Sequence, residues 1–500
     1  MASSQPRRYF VSTFGCRVNQ ADSAGLAGEL ERGGLVRAGR PEDAQVVVLN
    51  TCTVTHRSDA DVRKAVARLQ REAPDARVMV TGCFAQRDPE AARAIPGVSA
   101  VVGNAHKSRL PVLAEQIAGG LDEPLVVHSE MEAMPKDALP VEPVTTVLDR
   151  TRPFVKIQDG CDAHCSYCII PAVRGPARGA DPVRVRAAVE TLVARGYFEV
   201  VLTGIHLGTY AYEDAAGRQT DLSGLVEDLL EVPGLGRLRL SCIEPMAFPM
   251  ALPRLARGDR RLAPHFHLPL QSGSDRILKR MVRPYRARDF GALLDGIRAE
   301  LPEACLGTDV IVGFPGETDE DFEETFRFVE RSGLHYVHVF SYSHRSGVAP
   351  EGAPQRSARR RGTPATRLDG AVDPRVVKAR ATRLNTLGKS LFARYLDHQF
   401  GRTLPALVLE PDPRRAGYAR ALTGNFCNVD IETPLPAGTP VDVSIVGREG
   451  QRLVGRLDGR AQSVETESAG RSSLGSLEER GTMVSPADSR RARSARTSRR

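Results

Sequence analysis

Long apolar runs are missing from this 500-residue chain. None approaches the roughly 20 residues that a membrane-spanning helix needs, and the N-terminus, MASSQPRRYF, lacks the hydrophobic stretch of a secretory signal. A cytoplasmic protein without membrane segments is expected. An even cysteine framework is missing too. The nine cysteines are odd in number and clustered by motif, which argues against disulfides and for metal ligation in a reducing compartment. Bulk charge is scarce once its location is considered. Of the formal +8, residues 351–361 carry +3 and residues 490–500 carry +6, which leaves −1 for everything else. A generally basic body is therefore excluded, and any RNA site must be a local patch. What remains is an ordinary soluble composition, 41% hydrophobic, too long for one core and expected to form roughly two to four domains.

The most informative stretch runs from Val155 to Gly179, VKIQDGCDAHCSYCIIPAVRGPARG, where Cys161, Cys165 and Cys168 stand in CxxxCxxC spacing just after a short apolar strand. Iron–sulfur clusters are held by cysteine thiolates, and a cubane normally takes four of them. Three from one loop hold three corners and leave one iron open, as a catalytic metal keeps a position for its substrate. An open iron can chelate the amino and carboxylate groups of S-adenosylmethionine and pass it an electron. The other reading is a structural zinc site with His164 as fourth ligand. Closed zinc sites usually combine two ligand pairs on separate turns, and no second pair lies nearby. At these residues the chain resembles the radical S-adenosylmethionine superfamily, with Tyr167 as the aromatic of CxxxCxΦC.

From Arg8 to about Gly120, short β-rich runs alternate with helical stretches: YFVST, QVVVLN, RVMVTG and VSAVVG, each followed by a helical pattern. This predicts a doubly wound α/β domain with a parallel sheet. Cys16, Cys52 and Cys83 each fall just past the C-terminal end of one of the first three strands, the edge where such sheets bind ligands. Three thiols far apart in sequence would then converge on one rim as a second cluster site; the alternative is three cysteines packed as small hydrophobes. The segments TFGCRVNQADS, NTCTVTHRSD and VTGCFAQRDP, followed by the radical motif, resemble the methylthiotransferase family. That resemblance implies one 4Fe-4S cluster for radical generation, on Cys161, Cys165 and Cys168, and a second on Cys16, Cys52 and Cys83 that supplies sulfur.

Residues 121–152, rich in proline and acid, read as a linker. Six strand candidates follow, FVKIQ, EVVLTG, RLRLSC, HFHLPLQ, TDVIVGF and YVHVFSYS, and fit an open (β/α)6 partial barrel over 153–397 with function at the strand C-termini. Polar residues gather there. In the family, the turn at Thr203 and Gly204 offers backbone groups to the methionine amine. Ser241, Glu244 and Gln271 lie where the family holds ribose and carboxylate, and Arg283 resembles a family arginine near the cofactor. Ile311, in DVIVGFPGET, lies where the family backs the adenine, and Tyr167 joins the same expected binding set. Solvated rim positions are the alternative for Glu244 and Gln271, and a surface position for Arg283. His265 and His267 share one face, where strand-end packing is expected rather than ligation. The family commonly reads YSxRxGTPA where this chain reads YSHRSG, an insert over about 348–361, and GTPA. The insert reads as a disordered loop and leaves the role of Arg345 open.

The helical pattern of Val376 to Phe400 is expected to pack on the barrel's end. Residues 398–460 turn β-rich, with turns at PDPR, TGN, PAGTP and GREG, and predict a small five-stranded barrel. The family ends in such a module, the TRAM domain. Tyr418, Asn425 and Phe426 are candidates to stack on or hydrogen-bond unpaired nucleotides, with a core position as the alternative for Phe426. Residues 461–500, serine-rich and ending in arginines, read as a disordered basic tail.

Within the family GCRVNQ resembles the branch acting on N6-threonylcarbamoyladenosine at position 37 of tRNA, beside the anticodon, whereas the isopentenyladenosine branch more often reads GCQMN. The resemblance thus implies an S-adenosylmethionine-dependent enzyme that adds a methylthio group to C2 of that nucleoside. It also implies a low-potential electron donor such as flavodoxin or ferredoxin, an anticodon stem-loop as partner, and a monomer. A sibling acting on isopentenyladenosine is the alternative. A non-catalytic iron–sulfur RNA-binding protein is the alternative of another class, opposed by two complete cysteine triads.

Overall fold

Val46, Val47, Val48 and Leu49 are all buried, a pattern that only a strand covered on both faces allows. They belong to a parallel sheet whose strands are β1 (Arg8–Thr13), β2 (Val36–Arg37), β3 (Val46–Thr51), β4 (Arg77–Gly82), β5 (Val98–Val102) and β6 (Leu125–Val127), in the order β2-β1-β3-β4-β5-β6. Val46 and Val48 face Leu26 and Leu30 of helix α1 (Arg17–Arg32). Val47 and Leu49 face Val62, Val66 and Leu69 on the other side. The computed structural model describes residues 7–120, 123–131, 139, 148, 150–347 and 362–458. Much of the expected linker, and all of the insert and the 461–500 tail, lie outside the described residues. β2 and β6 are additions to the expected strands. Each is too short to show a period, and Leu125–Val127 is recruited from the expected linker by pairing with Ala100–Val102.

The second sheet begins with β7 (Phe154–Lys156). β8 (Gln158–Asp159) and β9 (Arg178–Gly179) pair antiparallel and close the base of the cysteine loop. β10 (Glu199–Thr203) is followed by a hairpin, β11 (Ala211–Glu213) and β12 (Gln219–Asp221). Then come β13 (Arg237–Leu240), β14 (His265–His267), β15 (Cys305–Val312) and β16 (Tyr336–Ser341). β7, β10 and β13 are parallel neighbours, as are β14, β15 and β16; bridges Leu238↔Leu262 and Cys242↔His267 join the two sets. This is the expected six-stranded open barrel, with its core in Val200, Leu202, Leu238, Leu268, Val310 and neighbours.

The C-terminal strands β17 (Thr403–Pro411), β18 (Tyr418–Thr423), β19 (Asn428–Glu432), β20 (Pro440–Glu449) and β21 (Arg452–Leu457) close into a five-stranded barrel. It docks on the partial barrel at the ends where the strands begin. Arg237 donates to Pro405 O at 3.1 Å, and Arg239 donates to Gly424 O and Thr423 O, both at 3.0 Å. Both arginines also grip Glu199, with Arg152 as a third cation. Burial alone would raise that carboxyl, but Arg239, Arg152 and Arg237 hold it at about 2. The helix Pro374–Asp397 runs along this seam: Leu384, Leu387 and Leu391 join the partial-barrel core, and Tyr395 and Leu396 the C-terminal one.

His335, before β16, lies tilted against Tyr395 with ring centres 4.2 Å apart, and its Nδ1 accepts the Leu306 N–H at 2.8 Å. A protonated ring would set two donors against each other, and burial pushes the imidazole down to about 4. The unfolded chain, with a histidine pKa near ~6.5, then binds the extra proton first. Stability from this group is full above about pH 6.5, declines as pH falls toward about 4, and changes no further below. Thermal unfolding from pH 7.5 to 4.5 is expected to lose up to about 1.4 kcal/mol per pH unit that His335→Asn, which keeps an acceptor but cannot titrate, does not lose.

Candidate functional site

The cysteine loop is pinned at both ends by backbone. The Cys161 N–H donates to Gly175 O at 3.0 Å, and Ser166 N–H donates to Met281 O at 3.0 Å. Within it the Cys161 sulfur accepts the Ala163 N–H at 3.4 Å and lies 3.7 Å from His206 Nδ1. Arg283 Nη1 donates to the Cys165 sulfur at 3.2 Å while Nη2 pairs with Glu244. Burial pushes Cys161 up to about 11, and pushes Cys168 up too, with the neighbouring thiols adding to both. Such crowded sulfurs ionise readily only against a metal, which binds the deprotonated form. The donor set therefore suits three corners of an iron–sulfur cube.

The eight residues expected around S-adenosylmethionine surround this loop unevenly. Arg283 is buried and pairs with half-buried Glu244 against the loop, so neither is a freely solvated surface group. Thr203 is buried at the end of β10, and its carbonyl accepts the Ile157 N–H at 2.9 Å. At Gly204 a Cβ would stand 2.9 Å from Leu207 and 3.0 Å from Gln158, so the turn tolerates no side chain without a shift. Gln158 in turn accepts the His206 N–H at 2.8 Å. Gln271 has a φ of 70°, unusual for a side-chain-bearing residue, and its carbonyl accepts the Ile311 N–H at 2.9 Å. Tyr167 and Ile311 meet in one apolar cluster with Phe314 and Met281. Ser241 Oγ and His206 Nε2 are buried without a partner among the described residues, polar atoms suited to a polar ligand such as S-adenosylmethionine.

Cys16, Cys52 and Cys83 come together across the rim of the first sheet. Burial pushes Cys52 up to about 12, and Cys83 and Cys16 are close enough to push it further. A Cβ on Gly15, whose φ is +106°, would lie 2.6 Å from Cys52 Cβ, so only glycine lets these segments approach. Cys16 is exposed, the other two buried. Beneath them lies a charge network that sequence reasoning missed. Asp22 meets Lys107 and Lys156, each at 2.7 Å, and Arg174 at 3.1 Å; Asp159 meets Arg174 at 2.8 Å and Lys156 at 3.0 Å. All five side chains are at most 2% exposed. Three cations against two carboxylates leave one buried positive charge in excess, and the Arg174 guanidinium acts on both Cys83 and Cys16. Its Nε has no partner among the described residues. A cluster held by three thiolates is anionic, so this surplus fits it.

A second interdomain contact lies beside Cys52. Arg345, 1% exposed, donates to Thr53 Oγ1 at 2.5 Å and pairs with Asp59 at 2.7 Å; Arg87 pairs with Asp59 at 3.3 Å. Nothing local in YSHRSG signals this, because its partners are nearly 300 residues away.

Inside the barrel, His267 Nε2 meets Asp309 at 2.9 Å, His338 Nδ1 meets the same oxygen at 3.3 Å, and Tyr336 OH lies 2.9 Å from His267 Nδ1 and 2.8 Å from His265 Nε2. Burial would raise Asp309, but His267 and His338 hold it well below the carboxylate range. A Cys242 atom completes a trio with His267 and Asp309 whose ligand atoms lie within 4.8 Å of one another.

The expected RNA-contacting residues divide. Tyr418 stays half-exposed, with Arg415 3.7 Å above its ring. Asn425 and Phe426 turn inward instead. Asn425 is 6% exposed and bonds Gln399 at 3.1 Å, and Phe426 stacks on His265 at 4.0 Å with Arg239 on its ring. They plug the seam between barrels, because docking buries the turn that carries them.

An open six-stranded barrel carrying three thiols on the loop after its first strand defines a radical S-adenosylmethionine enzyme, and the Radical SAM superfamily matches residues 155–329. The "Uncharacterized protein family UPF0004" matches residues 8–103. The threonylcarbamoyladenosine tRNA methylthiotransferase of Aquifex aeolicus is 34% identical over 87% of this chain and 98% of its own length. That of Bacillus subtilis is 36% identical over 77% and 80%. The tRNA-2-methylthio-N(6)-dimethylallyladenosine synthase of Kineococcus radiotolerans is 35% identical over 88% and 86%. The chain belongs to the radical S-adenosylmethionine methylthiotransferase family. In fold it is similar to the radical S-adenosylmethionine methyltransferase TsrM of Kitasatospora setae, with a TM-score of 0.52 at 16% identity over 72% of this chain and 75% of that one. Among the described residues no helix is long and apolar enough to cross a membrane.

Proposed function

We propose that this enzyme installs a methylthio group at C2 of N6-threonylcarbamoyladenosine at position 37 of tRNA. Relatives named for that nucleoside and for dimethylallyladenosine match at almost the same identity, 34–36% and 35%, so similarity does not choose between them. The observation that carries the choice is the barrel interior. Asp309, His267, His338 and Tyr336 make it polar and charged. A dimethylallyl group brings only carbon and hydrogen, so it would desolvate these groups without offering them any hydrogen bond in return. A threonylcarbamoyl group brings N–H, hydroxyl and carboxylate.

In this reading Cys161, Cys165 and Cys168 hold one 4Fe-4S cluster and Cys16, Cys52 and Cys83 the other. When bound, the two clusters and S-adenosylmethionine supply radical and sulfur-transfer chemistry that no side chain can. The chain's own part is placement. Arg283 steadies the Cys165 sulfur and holds Glu244 at the strand ends, where Thr203, Gly204, Ser241, Gln271, Tyr167 and Ile311 receive the cofactor. Arg174, on the segment after Cys168, reaches across to Asp22 and Asn19 of the first domain and sets the two triads in a shared frame. Tyr418 is the remaining candidate of the C-terminal barrel for an unpaired base of the anticodon stem-loop. A flavodoxin- or ferredoxin-type donor, a monomeric state and a cytoplasmic setting complete the proposal.

Nucleoside mass spectrometry of tRNA from a deletion strain tests the substrate. The methylthio form of threonylcarbamoyladenosine is expected to vanish and its precursor to accumulate. Loss of the methylthio-dimethylallyl nucleoside instead would overturn the reading.

A further inference from the structure

The turn that carries Cys52 is fixed from outside its own domain. The Cys52 sulfur accepts the Val54 N–H at 3.5 Å. Between them Thr53 is fully buried, and its hydroxyl donates to Asp59 at 2.7 Å while accepting from Arg345 at 2.5 Å. Arg345 also pairs with Asp59 at 2.7 Å, so hydroxyl, carboxylate and guanidinium close a triangle. Thr55 then caps the helix His56–Glu72 by accepting the Ser58 N–H. Two neighbours of Arg345 hold the same region: Ser343 Oγ accepts the His56 N–H at 3.2 Å, and Ser346 O accepts from Arg87 at 2.7 Å.

The same segment is anchored on the loop of the first cysteine motif. Tyr342, three residues before Arg345, joins Tyr167, Phe314 and Ala365 in one apolar cluster. Arg345 O accepts the Thr363 N–H at 2.9 Å, and Ala365, two residues further on, donates its N–H to Ser166 O at 2.7 Å. Ser166 directly follows Cys165. A continuous path of contacts therefore runs from Cys165 through Ser166, Ala365, Thr363 and Arg345 to Thr53 and Cys52. It shares no residue with the Arg174 network, which reaches the first domain through Asn19 and Asp22 on the helix after Cys16. A buried ion pair adds little net stability over apolar residues of equal volume, and its best-attested use is to fix a register.

We propose that Arg345 is a positioning residue for methylthio transfer, holding the Cys52 turn at a set distance from the loop over residues 161–168. The proposal rests on the reading of Cys16, Cys52 and Cys83 as ligands of the sulfur-supplying cluster. Both thiol sets then serve one carbon of the nucleoside. A shift of one against the other misplaces the reacting groups, and about 1 Å of misplacement costs roughly 100-fold. Cleavage of S-adenosylmethionine needs only the loop and the partial barrel, so it does not depend on this distance.

The test uses the full chain with its clusters reconstituted, and tRNA from the deletion strain, which carries the precursor whichever nucleoside is the substrate. Arg345→Gln leaves Asp59 its pair with Arg87 at 3.3 Å, so no carboxylate is orphaned. The variant is expected to hold about eight irons per chain and to cleave S-adenosylmethionine as wild type does. It should form about 10- to 100-fold less methylthio-nucleoside per deoxyadenosine. Hydrogen exchange of the loaded protein should quicken over residues 52–60 and stay unchanged over 161–168. Thr53→Val keeps the Arg345–Asp59 pair and removes only the hydroxyl, and carries the test by itself where Arg345→Gln does not fold. It should uncouple in the same direction, with the double variant no worse than Arg345→Gln alone. Arg345→Lys should recover part of the coupling. Wild-type coupling in Arg345→Gln or in Thr53→Val would overturn the proposal. So would iron near four per chain in Arg345→Gln, since the residue would then retain the cluster rather than aim it. Methylthiolation by Cys52→Ala would sink the reading of the first-sheet triad and the proposal with it. An inactive Cys52→Ala beside a fully coupled Arg345→Gln would sink the proposal alone.

Discussion

A Cys52→Ala chain is expected to go on cleaving S-adenosylmethionine to deoxyadenosine under strong reductant while making no methylthio-nucleoside. The two activities separate because the two thiol sets do. Cys161, Cys165 and Cys168 sit on one loop tied to Gly175 and Met281, whereas Cys52 lies past β3 in the first sheet beside Gly15 and Thr53. Alanine at 52 removes a thiolate ligand from the first-sheet triad and leaves the loop's hydrogen bonds untouched. Iron should fall from about eight to about four atoms per chain after anaerobic reconstitution, as befits one cubane in place of two. Cys165→Ala should lose both activities, since its sulfur also receives Arg283. Methylthiolation by Cys52→Ala at a rate comparable to wild type would show that the first-sheet triad is not the sulfur site.

Replacing Asp22 by alanine should have the largest effect on stability, about 3–5 kcal/mol, the usual result of removing one member of a buried ion set. Asp22 answers three cations at once, and Lys107, Lys156 and Arg174 would be left facing Asp159 alone. Their attraction outweighs the burial that would raise this carboxyl and holds it well below the carboxylate range. The loss should appear as a lower unfolding temperature. It should also appear as faster proteolysis between the first sheet and the partial barrel, because Asp22 belongs to the former and Lys156 to the latter. Unfolding within about 0.5 kcal/mol of wild type, the ordinary range for surface substitutions, would mean that the network carries no such load.

The amino-acid order alone determined the order of the longer strands and the place of both cysteine triads. Strand periodicity, turn residues and the CxxxCxxC spacing are local signals, and a thiol just past a parallel strand has only one rim to occupy. That is why YFVST, QVVVLN, RVMVTG and the six barrel strands fall where they were expected, and why Cys16, Cys52 and Cys83 meet. Very short strands escaped it: Val36–Arg37 and Leu125–Val127 exist by pairing with a neighbour, not by propensity. Only the tertiary structure decided what the charged residues do. Arg174 meets Asp22 across 152 positions and Arg345 meets Asp59 across 286, separations over which no sequence period carries information. The same holds for Asn425 and Phe426, whose turn is polar and aromatic enough to read as a nucleotide contact. Docking of the C-terminal barrel onto Arg237, Arg239 and His265 instead buries Asn425 and packs half-buried Phe426 into the seam. Burial against a distant element is set by the whole fold, and a residue's neighbours along the chain do not reveal it.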